Sequence, residues 1–308
     1  MMWKWGNSIT DVPKVSVGSA ENTEALTGCT VALFEDGAVA GVDVRGSAPG
    51  TREIESIKPV RKVEKIHGIL LTGGSAYGLD AAGGVQKYLE EQGIGYDVQV
   101  AKIPIIPTAV IFDLRVGSPD VRPGIEMGYE AAKNATDSEP QIGLHGVGIG
   151  ASSGGISGDK KGRGGLGSAS LMLDNNISVG ALVVTNSFGN VINPHTNELL
   201  VGSLNRDEWK IPKSAESFLE NTVLAIVATN AKLNKEEATK VAQMAQDGIA
   251  RAIIPSHTMY DGDIVFAVST GNSKGDVNII GDAAAEVVIR SILRGVSISN
   301  GITLDSIK

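Results

Sequence analysis

A single cysteine, Cys29, stands in a chain of 308 residues. One cysteine excludes an intramolecular disulfide and a zinc site built from thiolates, and it fits a reducing compartment. The four histidines, at positions 67, 145, 195 and 257, show no metal-pairing spacing, so zinc has no support and no metal is expected. Aromatic residues make up only 4 % of the chain. Basic residues number 27 against 35 acidic ones, a formal net charge of −8 with no basic run, which argues against nucleic acid or an anionic membrane as a partner. No segment approaches the ~20 consecutive apolar residues of a spanning helix. The N-terminal MMWKWGNSITDVP has no long apolar core, so no secretory signal is expected and a cytoplasmic setting is the default.

Glycine is in excess. There are 39 of them, about twice the usual ~7 %, clustered in 46–50, 73–84 and 143–167. Such clusters at the ends of apolar runs predict tight turns and close backbone approaches. Strand-length apolar runs recur at 29–34, 38–44, 67–71, 142–149, 177–184, 223–229 and 264–269. Several are apolar on both faces, as strands covered on both sides are. Ser75 is placed to cap a helix running to about Gln92, and Asn234 with Glu237 reads as a capping box ahead of Ala238, Val241, Ala242, Ala245 and Ile249. Ala285, Val288, Ile289 and Ile292 form a similar stripe. The class is α/β or α+β with no domain boundary in sight. Residues 205–220 are polar and irregular and read as an exposed connector.

Candidate chemistry is sparse. Gly146-Val147-Gly148-Ile149-Gly150-Ala151 has the G-x-G-x-x-A spacing, but the Ser/Gly-rich stretch after it cannot open the helix that would hold a pyrophosphate, so no nucleotide cofactor is expected. There is no Walker-type loop. Neither a serine elbow nor a cysteine nucleophile is expected, Cys29 lying inside an apolar run. Asp261-Gly262-Asp263 places two carboxylates at alternate positions before a strand, where they serve either as a turn or as an acidic pair at a site. Two carboxylates alone are too few oxygens for a hard cation.

One stretch breaks the local rules. In LENTVLAIVAT, 219–229, a polar run passes into an apolar one with no turn chemistry between them. The tripeptide Glu21-Asn22-Thr23 repeats the same letters in what reads as a surface loop. A threonine hydroxyl is a poor nucleophile without a base, and its own free α-amine is one solution. That amine titrates at about 7.7–8.0, close to neutrality. Thr222 would acquire it by scission of the Asn221–Thr222 bond.

Taken together, GNSITDVPKVSVG, AVAGVDVRGSAPGTRE, LTGGSAYGLDAA, IPIIPTAVIFDL, RGGLGSAS, ENTVLAIVATNAKL and HTMYDGDIVFAVSTG resemble one family, in its order and over nearly the whole chain. It is the family of self-cleaving aminopeptidases and amidases that includes the L-aminopeptidase/D-amino-acid esterases, the β-peptidyl aminopeptidases and the nylon-oligomer hydrolases. The resemblance implies a four-layer α/β/β/α sandwich similar to N-terminal-nucleophile hydrolases. It also implies one hydrolase domain over 1–308, cut by itself into associated chains 1–221 and 222–308. Carried over, Thr222 is the nucleophile, Asn221 the residue given up at cleavage, Asp261 and Asp263 an acidic pair beside the nucleophile, and Asn186 an oxyanion donor. The Gly73-Gly74-Ser75 turn is a further source of backbone donors.

The implied substrates are small peptides or amino-acid amides, with no cofactor, and the implied assembly is a tetramer of processed heterodimers. Two departures stand out: Gly155 where some members carry Lys, with Lys160, Lys161 and Arg163 as the nearby cations, and Phe112 where some carry Tyr. Rival readings are an acyltransferase using the same Thr nucleophile and a non-catalytic binding protein on the same fold. Substrate class stays open between α-peptides, β-peptides, D-amino-acid amides, ω-amino-acid oligomers and pantetheine-like amides.

Overall fold

The computed structural model describes residues 3–210 and 221–303. Numbered along the chain, its principal elements begin with β1 (Lys4–Gly6), β2 (Ser16–Asn22), β3 (Thr27–Val44), β4 (Ile66–Thr72), α1 (Ala81–Glu91) and β5 (Thr108–Val110). They continue with α2 (Ile125–Lys133), β6 (Gly165–Met172), β7 (Ser178–Asn186), β8 (Thr222–Ala231), α3 (Lys235–Ala252), β9 (Ile264–Ser273) and α4 (Val277–Ser299). The expected connector falls partly on 211–220, outside the described residues.

Strand β3 belongs to two sheets. Its second half, Val39–Val44, pairs with β9 in a sheet of order β1-β6-β7-β8-β9-β3. Its first half, Thr27–Leu33, lies between β2 and β4, and β5 follows on the far side of β4. The runs 29–34 and 38–44, expected as separate strands, are therefore one strand of 18 residues. In the first sheet β8 and β9 run parallel and the other pairs are antiparallel. A parallel neighbour needs a crossover connection, which α3 supplies.

Strict alternation in β8 shows why the strands are apolar on both faces. Val223, Ala225 and Val227 pack in one core with Ala238, Ala242 and Ala245 of α3 and Ala284 and Val288 of α4. Leu224, Ile226 and Ala228 turn the other way, into a core between the sheets with Phe34, Ile69 and Phe266. A third core joins Cys29, Val31 and Leu33 to Val85 and Leu89 of α1 and Ala131 of α2. Helices α3/α4, two sheets and helices α1/α2 make the four layers of an α/β/β/α sandwich. Burial pushes the Cys29 thiol up to about 12, which leaves it an inert core group.

Glycine permits the close layers. A Cβ on Gly167 of β6 would stand 1.9 Å from the Ser291 carbonyl oxygen of α4. One on Gly84 of α1 would stand 1.9 Å from the Ile125 oxygen of α2. The capping box forms as expected, with Asn234 Oδ1 accepting from Glu237 N and Glu237 Oε2 from Asn234 N, both at 2.8 Å.

Three local expectations are corrected. The run 142–149 is not a strand: Gly143 and Gly146 take positive φ (89° and 53°), and 146–150 close into a buried 3-10 turn. Ser75 does not cap a helix. It has φ 53° inside a 3-10 turn, Ser75–Asp80, and α1 begins only at Ala81. Glu21 and Asn22 end strand β2 opposite Gly28 and Thr27, so that tripeptide is half strand rather than loop.

Candidate active site

Thr222 is the first residue of β8 and lies between the end of β7 and the approach to β9. Its register partner on β7 is Asn186, and Asn221 bridges Asp261 on the other side. All five residues singled out in the sequence thus meet at one end of the central strands. Thr222, Asp261 and Asp263 are 5 %, 2 % and 1 % exposed.

The Asn221 carbonyl is the focus. Its oxygen accepts from Thr222 Oγ1 at 2.5 Å and from the Gly262 amide at 2.9 Å. Asp263 fixes the next residue: its Oδ1 accepts from Val223 N at 2.8 Å. Its Oδ2 accepts from His257 N at 3.1 Å and meets His257 Nδ1 at 2.8 Å. Asp261 Oδ2 accepts from Thr258 N (2.9 Å) and Thr258 Oγ1 (2.6 Å), and its Oδ1 from Phe188 N (3.3 Å).

Burial is the larger cause, and the neighbouring Asp263 charge the second, that raise the Asp261 carboxyl from 3.8 to about 6. The pair is an anchoring network, each carboxylate holding a different loop against the Asn221–Thr222 junction. Glycine between them is required by space. A Cβ on Gly262 would lie 2.7 Å from the Ala48 oxygen and 2.9 Å from Thr222 Oγ1.

Asn186 is held by both ends of its amide, Oδ1 accepting from Ser152 N (2.9 Å) and Nδ2 donating to the Phe112 oxygen (3.2 Å). The Gly73-Gly74-Ser75 amides do not serve as oxyanion donors. They donate to Gly28 O, Asp113 Oδ1 and Ile111 O respectively. The spacing G-x-S-x-G does occur, at 271–275, where Ser273 is the last residue of β9, and at 150–154, against the expectation of no serine elbow. Ser152 there opens a two-residue strand followed by a 3-10 turn, not the strand-to-helix turn that exposes a nucleophile.

Beside Asn221 opens a cleft of about 740 Å3. Both family departures line it: Phe112 through its wall, and Gly155, whose Cβ would lie 3.3 Å from Asn221 Oδ1. Sequence reading missed Gly262 as a donor, and His257, which it weighed only as a zinc ligand. The signal for both was the HTMYDGD stretch, 257–263, which holds them beside the carboxylates. Among the described residues no cluster of three His, Cys, Asp or Glu side chains offers a metal site, and no helix is long and apolar enough to cross a membrane.

The four layers define an α/β/β/α sandwich of the N-terminal-nucleophile hydrolase fold. The L-aminopeptidase D-Ala-esterase/amidase of Ochrobactrum anthropi, described as a new variant among the Ntn hydrolase fold, superimposes with a TM-score of 0.69 at 18 % identity, over 94 % of this chain and 85 % of that one, and establishes the fold. The model of peptidase family S58 matches residues 7–306, and the chain belongs to that family. It is 39 % identical over 292 residues to an uncharacterised aminopeptidase of Mycobacterium leprae, covering 86 % of this chain and 79 % of that one. It is 31 % identical over 309 residues to a 6-aminohexanoate-oligomer endohydrolase of a Kocuria species, covering 92 % and 84 %. The protein is accordingly a hydrolase of peptide or linear amide bonds, of the aminopeptidase/amidase type, and the acyltransferase and non-catalytic readings are not favoured.

Proposed function

We propose that Thr222 is the nucleophile of this hydrolase and that the chain cuts itself between Asn221 and Thr222. The observation that carries the reading is the convergence of Thr222 Oγ1 and the Gly262 amide on the Asn221 carbonyl. In the proposed cut, Oγ1 bonds to the Asn221 carbonyl carbon while Gly262 N–H stabilises the oxyanion. The C–N bond to Thr222 then breaks and the freed amine takes the hydroxyl proton. Water hydrolyses the resulting ester, leaving the Asn221 carboxylate and a free Thr222 amine and hydroxyl.

Substrate hydrolysis repeats the cycle with an external amide. Thr222 Oγ1 attacks the carbonyl, the Thr222 amine carries the proton to the leaving amine, and water releases the acid. The amine's ordinary range near 7.7–8.0 suits that shuttle at neutral pH. Asn186 and the Gly262 amide are the proposed oxyanion donors, each a class of contact whose loss typically slows turnover ~10²–10³-fold. Asp261 and Asp263 position the junction.

Substrates are proposed to be small peptides or amino-acid amides. A cytoplasmic setting is supported by the lone cysteine, and a homo-oligomer of processed heterodimers by the family resemblance alone. The test is the denatured mass of wild type beside Thr222→Ala. Fragments 1–221 and 222–308 in the wild type and one intact chain in the variant support the reading. A single intact chain in both refutes it.

A further inference from the structure

Among the described residues, the lining of the cleft beside Asn221 is cationic in a chain whose net charge is −8. Arg115, Lys161 and Arg163 line it, and its one carboxylate among the lining residues, Asp159, is exposed and paired with Lys210 at 3.2 Å. Lys161 has no ion pair among the described residues. Arg163 is held in place by its backbone, with its N–H donating to Asn300 Oδ1 at 3.1 Å and its carbonyl accepting from Asn300 Nδ2 at 2.9 Å. Its guanidinium donates through one nitrogen to the Ile149 oxygen, and Nε has no partner among the described residues. A planar fork with donors to spare is suited to a carboxylate, which it binds in two-point fashion.

Asn221 tells which part of a substrate this cleft receives. In the junction Asn221 is the acyl component, and its side chain stands against Gly155 at the cleft wall. Resting on the proposed Thr222 mechanism, a substrate's acyl group takes the place that Asn221 occupies before the cut. The geometry points to an acyl group bearing its own carboxylate, as an amino-terminal glutamyl or aspartyl residue does, held by Arg163 and Lys161. An ammonium-only acyl group would face Arg163 and Lys161, with Asp159, already paired with Lys210, as the carboxylate among the described lining residues.

The processed enzyme is assayed with glutamyl- and glutaminyl-p-nitroanilide, which differ in charge and little in shape, and glutamate and glutamine binding is measured by calorimetry. A charged hydrogen bond of ordinary strength predicts a kcat/KM preference for the glutamyl substrate of about ten- to a hundredfold, residing in KM. Arg163→Met and, separately, the exposed Lys161→Met bring the ratio towards one. Turnover of both substrates with no preference for the glutamyl one overturns the assignment while leaving the hydrolase mechanism standing. Glutamate bound by wild type, weakly by Arg163→Met, with neither anilide cleaved, upholds the cleft and overturns the mechanism. Equal binding of glutamate and glutamine overturns the cleft whatever the turnover.

Discussion

The amide nitrogen of Gly262 lies 2.9 Å from the carbonyl oxygen of Asn221, a backbone donor aimed at the bond whose scission is proposed. A side chain at 262 displaces that donor, because its Cβ meets the Ala48 oxygen at 2.7 Å. Gly262→Ala is expected to slow self-cleavage by about a hundredfold, the usual effect of losing one oxyanion contact. A time course of denatured mass checks it, with circular dichroism as the control for folding.

Buried Asp263 pairs with the half-buried His257 and seats Val223, one residue beyond Thr222. Asp263→Ala leaves Val223 N and the His257 ring without their acceptor and is expected to cost about 1–3 kcal/mol of stability. It is expected to halt processing as well. Asp263→Asn, which retains one oxygen for Val223 N, is expected to fold near wild-type stability and to process slowly. Denaturant midpoints and fragment masses separate the two effects.

The raised carboxyl of Asp261 gives stability a pH dependence of definite sign. Its folded value of about 6 lies above the ordinary 3.8, so the folded state holds the proton more tightly. The stabilising contribution is complete below about pH 3.8 and is lost as pH rises through about 6. Urea midpoints of the uncleavable Thr222→Ala chain are expected to fall across this window, and the slope is expected to flatten when Asp261→Asn is added.

Gly167 is a purely structural test. Alanine there drives a methyl to 1.9 Å of the Ser291 oxygen and forces α4 off β6. A loss of about 1–3 kcal/mol is expected, read from the thermal midpoint of Thr222→Ala and Thr222→Ala/Gly167→Ala.

The central strands were legible because they are covered on both faces: β7, β8 and β9 read as unbroken apolar runs, and the alternation of Val223 and Leu224 between two cores explains the run. The candidate residues were legible because local chemistry was out of place, a polar Asn-Thr running into a strand and two carboxylates flanking a glycine. Strand β6 was not. Its GLGSASLM trades bulk for closeness to α4, so small residues erase the hydrophobic signal. The 142–149 run misled for the opposite reason, since left-handed glycines turn an apolar segment out of any sheet. Gly262 as a donor is a property of backbone direction, and the cationic cleft brings together Arg115 and Arg163 from distant parts of the chain. Neither is written in any local pattern.

Strands β8 and β9 sit side by side between β7 and β3, so a cut at 221/222 leaves the second piece sewn into the first along two seams. Either piece alone is a torn sheet: the larger lacks two middle strands, the smaller has two bare edges. The junction itself is assembled from both, with Asn221 and Asn186 on one side of the cut and Gly262 and Asp263 on the other. On the proposed mechanism, scission would begin only after the sheet has closed, and the appearance of two fragments would be a clock for folding.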